Sequence, residues 1–473
     1  MKKYIFLLSM MLVFGAGCRD DSSTPVDSST PTPDAATDMD ATTDMDATTD
    51  MDAASGGCGT GGEVMVSADI GANTTWTCDK TYVLTGHIFV TADSTLSIEA
   101  GTTILGESGA ALLTTRGSRL VAVGTAEAPI VFTSANPDGA RATGDWAGVA
   151  LIGASTINKG SCVDDADPSS EACDAPGYLE GHIEGIDVAD PRGTFGGTDE
   201  ASDCGQLEYV RIEFAGAELS PDNELNGLTV AACGSATQLS YLQIHRGKDD
   251  AIEFFGGTTS MDHIVASGST DDNLDCDLGW RGNVQFMIIH QFAGIGDNGI
   301  ECDNATPDMD SEPRTHGELW NFTMIGTPDT RGMVLREGVS DNMHNFIIAD
   351  FGAEAFDVRD TATTANWPST LVIENSYFWN NGEFVSETGT EDDDAGFDES
   401  AMAMDAARMN SFSVDPMLGS TSITAPDYAP AASATELAGA TPPAGFDTGA
   451  TYAGAIEPGG ADWTSGWTSY PEN

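Results

Sequence analysis

Positive charge is nearly missing from this chain: Lys and Arg number 18 against 75 Asp and Glu, a formal net charge of −57 over 473 residues. Self-repulsion on that scale excludes nucleic acid and anionic lipid head groups as partners and leaves cations as the expected company. Long apolar runs are equally scarce. The N-terminal one, Tyr4 to Phe14, is too short to span a bilayer comfortably. No 3.6-residue apolar period separates the apolar segments, and no two cysteines beyond Cys18 are spaced as Cys-x2-Cys, so long amphipathic helices and thiolate zinc sites are not expected. None of His87, His182, His245, His263, His290, His316 or His344 sits in a ligand or triad motif. What is present is glycine, 54 residues of it, with 40% hydrophobics, the mark of a chain that turns often yet buries a core.

Residues 1–17 are expected to be a signal peptide, with Lys2 and Lys3 ahead of the apolar run and Gly15-Ala16-Gly17 before Cys18. Small residues followed by cysteine resemble the lipobox of bacterial lipoproteins, which implies a lipid on Cys18. Gly15 stands where that pattern has Leu, so ordinary signal-peptide cleavage is the alternative. Cysteine count favours the lipid, because nine minus Cys18 leaves eight that can pair in an oxidising compartment. Residues 18–57 are Ser, Thr, Pro, Asp and Ala with almost nothing to bury, which reads as a disordered acidic linker extended by like charges. Location follows: the cell envelope, at the outer membrane or cell surface, touching membrane through the lipid anchor only.

From residue 58 short β-branched segments follow one another, punctuated by glycine. A repeated unit, small residue then apolar, any, apolar, begins at Gly227, Ala251, Asn273, Gly299, Gly332 and Ala355, with starts 24, 22, 26, 33 and 23 residues apart. A second strand recurs between the units, as in Leu239 to Ile244, Met261 to Ala266 and Val284 to Ile289. Two apolar strands per turn of about 23 residues are what a parallel β-helix requires, since no coil buries its inner face until the next stacks on it. The expected fold is therefore all-β: a single-stranded right-handed parallel β-helix over 58–409, with an insertion at 160–200 and a C-terminal cap over 410–473. Leu228, Ile252, Leu274, Ile300, Met333 and Phe356 should form one inner column, and Val230, Phe254, Cys276, Cys302, Leu335 and Val358 the next.

That alignment puts Cys276 and Cys302 at one position of adjacent coils, within disulfide range at a strand spacing of about 4.8 Å. By the same one-coil logic Cys204 should pair with Cys233, while Cys162 with Cys173 would staple the insertion and Cys58 with Cys78 the start of the fold, one connectivity out of 105. The segments Gly124-Thr125 to Ser134, Gly144-Asp145-Trp146-Ala147-Gly148, Gly268 to Trp280, Asp297-Asn298-Gly299-Ile300-Glu301 and Asp462 to Thr468 together resemble the pectin-lyase-like group of parallel β-helices, and within it a set of bacterial surface lipoproteins. The resemblance covers roughly residues 76 to 470 and implies carbohydrate as the ligand class, by fold analogy alone.

One outward column carries chemistry: Glu253, Asp275, Glu301 and Asp357, fed by turns that add Asp249-Asp250, Asp271-Asp272 and Asp297. Carboxylates stacked about 5 Å apart repel unless a cation intervenes or protons are held. Three readings stay open. Asp250, Glu253, Asp272, Asp275, Asp297 and Glu301 could ligate Ca2+, which accepts six to eight oxygens in loose geometry. They could form a solvated face whose aspartates cap turns. Or Asp271, Asp272, Asp275 and Glu301 could supply a catalytic pair for a polysaccharide hydrolase or lyase. Asp271-Asp272 is similar to the paired aspartates of β-helical polygalacturonases, but no Asn-Thr-Asp precedes it and no Gly-His-Gly or Arg-Ile-Lys follows, so that carry-over fails. Lys248 and Arg281 are the bases available to a lyase, and each is as well explained as an ion-pair partner. Trp280, Arg281 and Trp320 are candidate walls of a sugar groove, and Pro307 to His316 a loop standing over the acidic face. The expected molecule is a monomer that binds polysaccharide or another envelope component; a purely structural spike or adhesin is the remaining alternative.

Overall fold

The computed structural model describes residue 58 and residues 61–163, 177–220, 223–382 and 394–473. The expected signal peptide, the lipidated Cys18, the linker and Cys173 lie outside the described residues. Within them the chain is a parallel β-helix. One sheet stacks nine parallel strands from His87–Val90 to Asp357–Val358, among them Leu228–Ala231, Ile252–Phe255, Leu274–Asp277 and Asn298–Cys302. The other sheet holds sixteen strands and supplies two further legs of each coil. In the middle coils both legs belong to a single eight-residue strand, such as Gln238–His245, Ser260–Ser267, Asn283–His290 and Glu318–Ile325. Each of these strands bends at a residue with positive φ: Tyr241 (51°), His263 (55°), Phe286 (62°) and Asn321 (59°). Left-handed backbone is costly for residues with a Cβ. It recurs at one register position because every coil must turn the same corner.

The inner columns are as the repeat requires. Leu228, Ile252, Leu274, Ile300 and Met333 pair in register and are fully buried. Buried aromatics of successive coils stack, as in Phe254 on Trp280 at 4.6 Å and Phe322 on Phe346 at 4.4 Å. Disulfides join Cys58 to Cys78, Cys204 to Cys233 and Cys276 to Cys302, the last across neighbouring strands with Cα atoms 4.7 Å apart. Cys162 is disulfide-bonded as well. Such bridges fit an oxidising compartment outside the cytoplasm.

Trp280 does not wall a groove. Its side chain is wholly buried and its Nε1 donates to the Thr259 carbonyl at 3.0 Å. Gly279 and Gly282 beside it let the chain turn the indole inward, and a Cβ on Gly282 would lie 2.5 Å from the ring. Truncation by Trp280→Ala should therefore cost about 3–5 kcal/mol of stability, read from denaturant unfolding, whereas a groove-wall tryptophan would lose little.

The C-terminal segment also departs from expectation. The end of the helix is closed by Phe397, Met402, Ala403 and Phe412, which join the core there. Two of these sit on a short helix, Glu399–Met404, N-capped by the Asp398 carboxylate. Residues 415–473 instead run back along the outside of the two-legged strands as a strap. Ala440 N–H donates to Asn345 Oδ1, Asn321 Nδ2 donates to Tyr452 O, Ser469 N–H donates to Gln243 Oε1, and Gly139 N–H donates to Asn473 O. The reason is apolar surface on the outer face: Val265, Ile288 and Ile325 bury against Tyr428, Ala455 and Ile456, and Ile347 against Leu437 and Ala453.

The insertion is pinned to the nine-stranded sheet, with Ile157, Leu179, Ile183 and Phe195 packed on the outer side of Ala150, Ile152 and Ala231. Phe195 stacks on Phe255 at 5.8 Å. The insertion therefore stands as a wall beside the strands that carry the acidic column.

Candidate metal centre

In-register pairing sets Glu253 beside Asp275 and Asp275 beside Glu301. A second row forms one turn earlier in each coil. Asp250 N–H donates to Asn226 Oδ1 at 3.3 Å, Asp272 N–H to Asp250 Oδ1 at 3.0 Å, and Asn298 N–H to Asp272 Oδ1 at 2.7 Å. Asp250 and Asp272 thus each hold the next coil through one carboxylate oxygen and leave the other for the site. Asparagines close the row at both ends. Asn226 Nδ2 donates to Glu253 Oε2, and Asn298 Nδ2 donates to Glu301 Oε2 at 3.1 Å.

The two rows converge in two carboxylate triads, Asp250–Glu253–Asp275 and Asp272–Asp275–Glu301, whose ligand atoms lie within 4.8 Å of one another. Asp275 belongs to both. A third group, Asp249–Asp250–Asp271, lies at the exposed edge. At such distances each pair of full charges would repel by about 3 kcal/mol or more at an effective dielectric constant near 20. Burial followed by the neighbouring charges raises every carboxyl in the site: Asp250, Glu253, Asp272 and Asp275 go well above their ordinary range, and Asp249 and Glu301 to about 7. Glu253 is raised further by Glu184 from the insertion. Compensation is one-sided. Arg336 pairs with Glu301 and, at 2.8 Å, with Asp303, while Glu253 and Asp275 have no cationic partner among the described residues.

Asp275 Oδ1 is buried and without a hydrogen-bond partner among the described residues, and so is Asn298 Oδ1. A buried carboxylate oxygen with no donor is costly, and a hard cation bound by oxygens would satisfy it. The donor set is all oxygen, the kind that suits calcium rather than zinc or copper. The residues present therefore fit the group.

The remaining candidates fall elsewhere. Asp297 is 55% exposed and paired with Arg331 at 3.1 Å, so it stands at the rim rather than among the ligands. Lys248 pairs with Glu218 at 3.0 Å, and Arg281 pairs with Glu200 at 2.8 Å, fastening the insertion to its coil; neither faces the triads. Trp320 is buried on the two-legged sheet, stacked on His344 at 4.2 Å. Trp280, Arg281 and Trp320 thus share no groove. The stretch Pro307 to His316 folds onto the neighbouring turn, with Arg314 Nη1 donating to Gly338 O and His316 Nδ1 meeting Ser340, and these contacts do not reach over the acidic column. The missed residues are Asn226 and Asn298. Their signal was legible, since both occupy the position just ahead of the small residue that opens the repeat, where Asp250 and Asp272 also stand.

The family model of the pectate-lyase-like beta helix domain matches residues 68–468, most of the chain. The chain belongs to this family. No curated protein and no solved structure matches it. As a pectate-lyase-like β-helix it has a scaffold suited to carbohydrate binding or carbohydrate chemistry. The triads sit on its nine-stranded sheet, next to the wall made by the insertion.

Proposed function

We propose that this pectate-lyase-like β-helix is tethered to the cell envelope by a lipid on Cys18 and binds glycan, or another envelope component, on a calcium-loaded acidic face. Asp275 Oδ1, at the junction of two carboxylate triads and without a hydrogen-bond partner among the described residues, carries the reading. Asp250, Glu253, Asp272, Asp275 and Glu301 would hold calcium, which would supply positive charge and open coordination for sugar oxygens. Asn226 and Asn298 orient the outer glutamates, and the insertion walls one flank.

A second reading, a polysaccharide-cleaving enzyme, draws support from Glu301, raised to about 7 by burial and so suited to proton transfer near neutrality. Against an inverting pair stands the crowding: ligand atoms within 4.8 Å leave no room for the water that needs carboxylates about 6.5–9.5 Å apart. Incubation with neutral and acidic polysaccharides, with and without calcium, separates the two. Retention that disappears with chelator while chain length stays constant is the expected result; shortened chains would overturn it in favour of the enzyme.

A further inference from the structure

A groove of about 510 Å³ opens on the other sheet, at the outer side of the leg that precedes the bend. Register builds its floor. Gln238 pairs with Ser260, Ser240 with Asp262, and Asp262 with Gln285. On the bend side runs a stack of rings, Tyr209 on Tyr241 at 4.4 Å, Tyr241 on His263 at 4.3 Å and His263 against Phe286 at 4.8 Å. The stack ends there because Asn321 takes the next bend. On the opposite side the strap supplies Phe446 and Asp447. Gln285 holds that rim in place, accepting from Asp447 N–H at 2.8 Å and donating to Asp447 O at 3.3 Å. The groove is therefore formed before any ligand arrives.

Its chemistry is amides and hydroxyls beside ring carbon. The side chains of Gln238, Ser240 and Asn283 have no hydrogen bond to a described residue, and Phe286, Phe446 and the His263 ring line the same space. Asp262 on the floor, hydrogen-bonded to His263 Nδ1 at 2.5 Å, and Asp447 on the strap rim, on a chain of net charge −57, turn away phosphates, uronates and other anions. Polar groups able to both donate and accept, set against apolar ring surface, match the hydroxyls and the C–H face of a pyranose. We infer that this groove binds a neutral sugar residue of a glycan, separately from the acidic face and without calcium.

The test is titration of the full chain, in chelator, with neutral hexasaccharides of glucose, mannose and xylose, followed by calorimetry. At least one should bind, unchanged by added calcium, and Phe446→Ala and Asn283→Ala should each weaken it about tenfold or more. Asn283→Ala guards against a displaced strap, since Asn283 lies on the helix itself and makes no side-chain bond to the strap. Absence of binding by all three sugars, binding that needs calcium, or binding indifferent to Asn283→Ala would each overturn the inference, as would capture of a cationic peptide but no sugar. Chelator silences the acidic face, so failure here is distinguishable from failure of the function proposed above.

Discussion

Chelation at pH 8 is expected to lower the Tm of the β-helix by about 3 °C, and the same chelation at pH 5 to change it little. The sign follows from linkage. Burial and neighbouring carboxylates raise Asp249 and Glu301 to about 7 in the folded chain, and Asp250, Glu253, Asp272 and Asp275 further. Groups with raised folded pKa contribute stability that is fully present below their unfolded values near 4 and is lost as pH rises through about 7 and above. Without calcium, stability should therefore fall from pH 6 to pH 8. His245 and His290 work in the opposite direction: burial lowers them to about 3 and about 4, so their contribution is lost as pH falls below about 6.5. Six raised carboxyls outnumber the two histidines, so the calcium-free chain is expected to be most stable near about pH 4 and to lose stability from there upward. Ligand at a hundred times its Kd adds about 2.7 kcal/mol, and it binds only where protons have left, so the gain grows with pH. Scanning calorimetry at the two pH values decides it, and equal chelator effects at pH 5 and pH 8 would sink the site.

Asp275→Asn should do two opposite things at once. It removes a ligand shared by both triads, so calcium affinity should fall by about a hundredfold, or roughly 2.7 kcal/mol. In chelator at pH 8 the same variant should be more stable than the parent, because a buried charge flanked by Asp250 and Glu301 has gone while the volume is unchanged. A loss of stability in chelator would mean that Asp275 serves the fold by itself. Asp297→Asn is the control: exposed and paired with Arg331, it should leave calcium affinity within about twofold.

Much of this architecture is legible in sequence because parallel stacking repeats positions without reversal. Once Gly227, Ala251, Asn273 and Gly299 are aligned, the register of Ile252 on Leu274, of Asp275 on Glu301 and of Cys276 on Cys302 follows. The clustering of Asp250, Glu253, Asp272, Asp275 and Glu301 was legible for the same reason, and Asp297 falls at the rim because alignment gives a height on the helix but not the salt bridge that draws a side chain aside. Trp280 misled because a tryptophan between Gly279 and Arg281 resembles exposed turn, and only three-dimensional packing reveals that the glycines fold it inward. The strap was invisible as such, since residues 415–473 share no period with the coils. Its trace lay on the other partner. Val265, Ile288 and Ile325 face outward, and an apolar outer face on a strand calls for a cover.

That strap alters how the molecule can be assembled. A solenoid's contacts join nearest neighbours, so coils can zip up in sequence order as the chain emerges. Here Gly139 is bonded to Asn473, and Gln243 to Ser469, 226 positions away. Contacts so distant in sequence are slow to form, and they bring residues from the far end of the chain back onto coils that must already stand. Coil zipping followed by a late clasp is the order this topology imposes, and until the clasp seats, the apolar outer faces of the middle coils stay open to unwanted association.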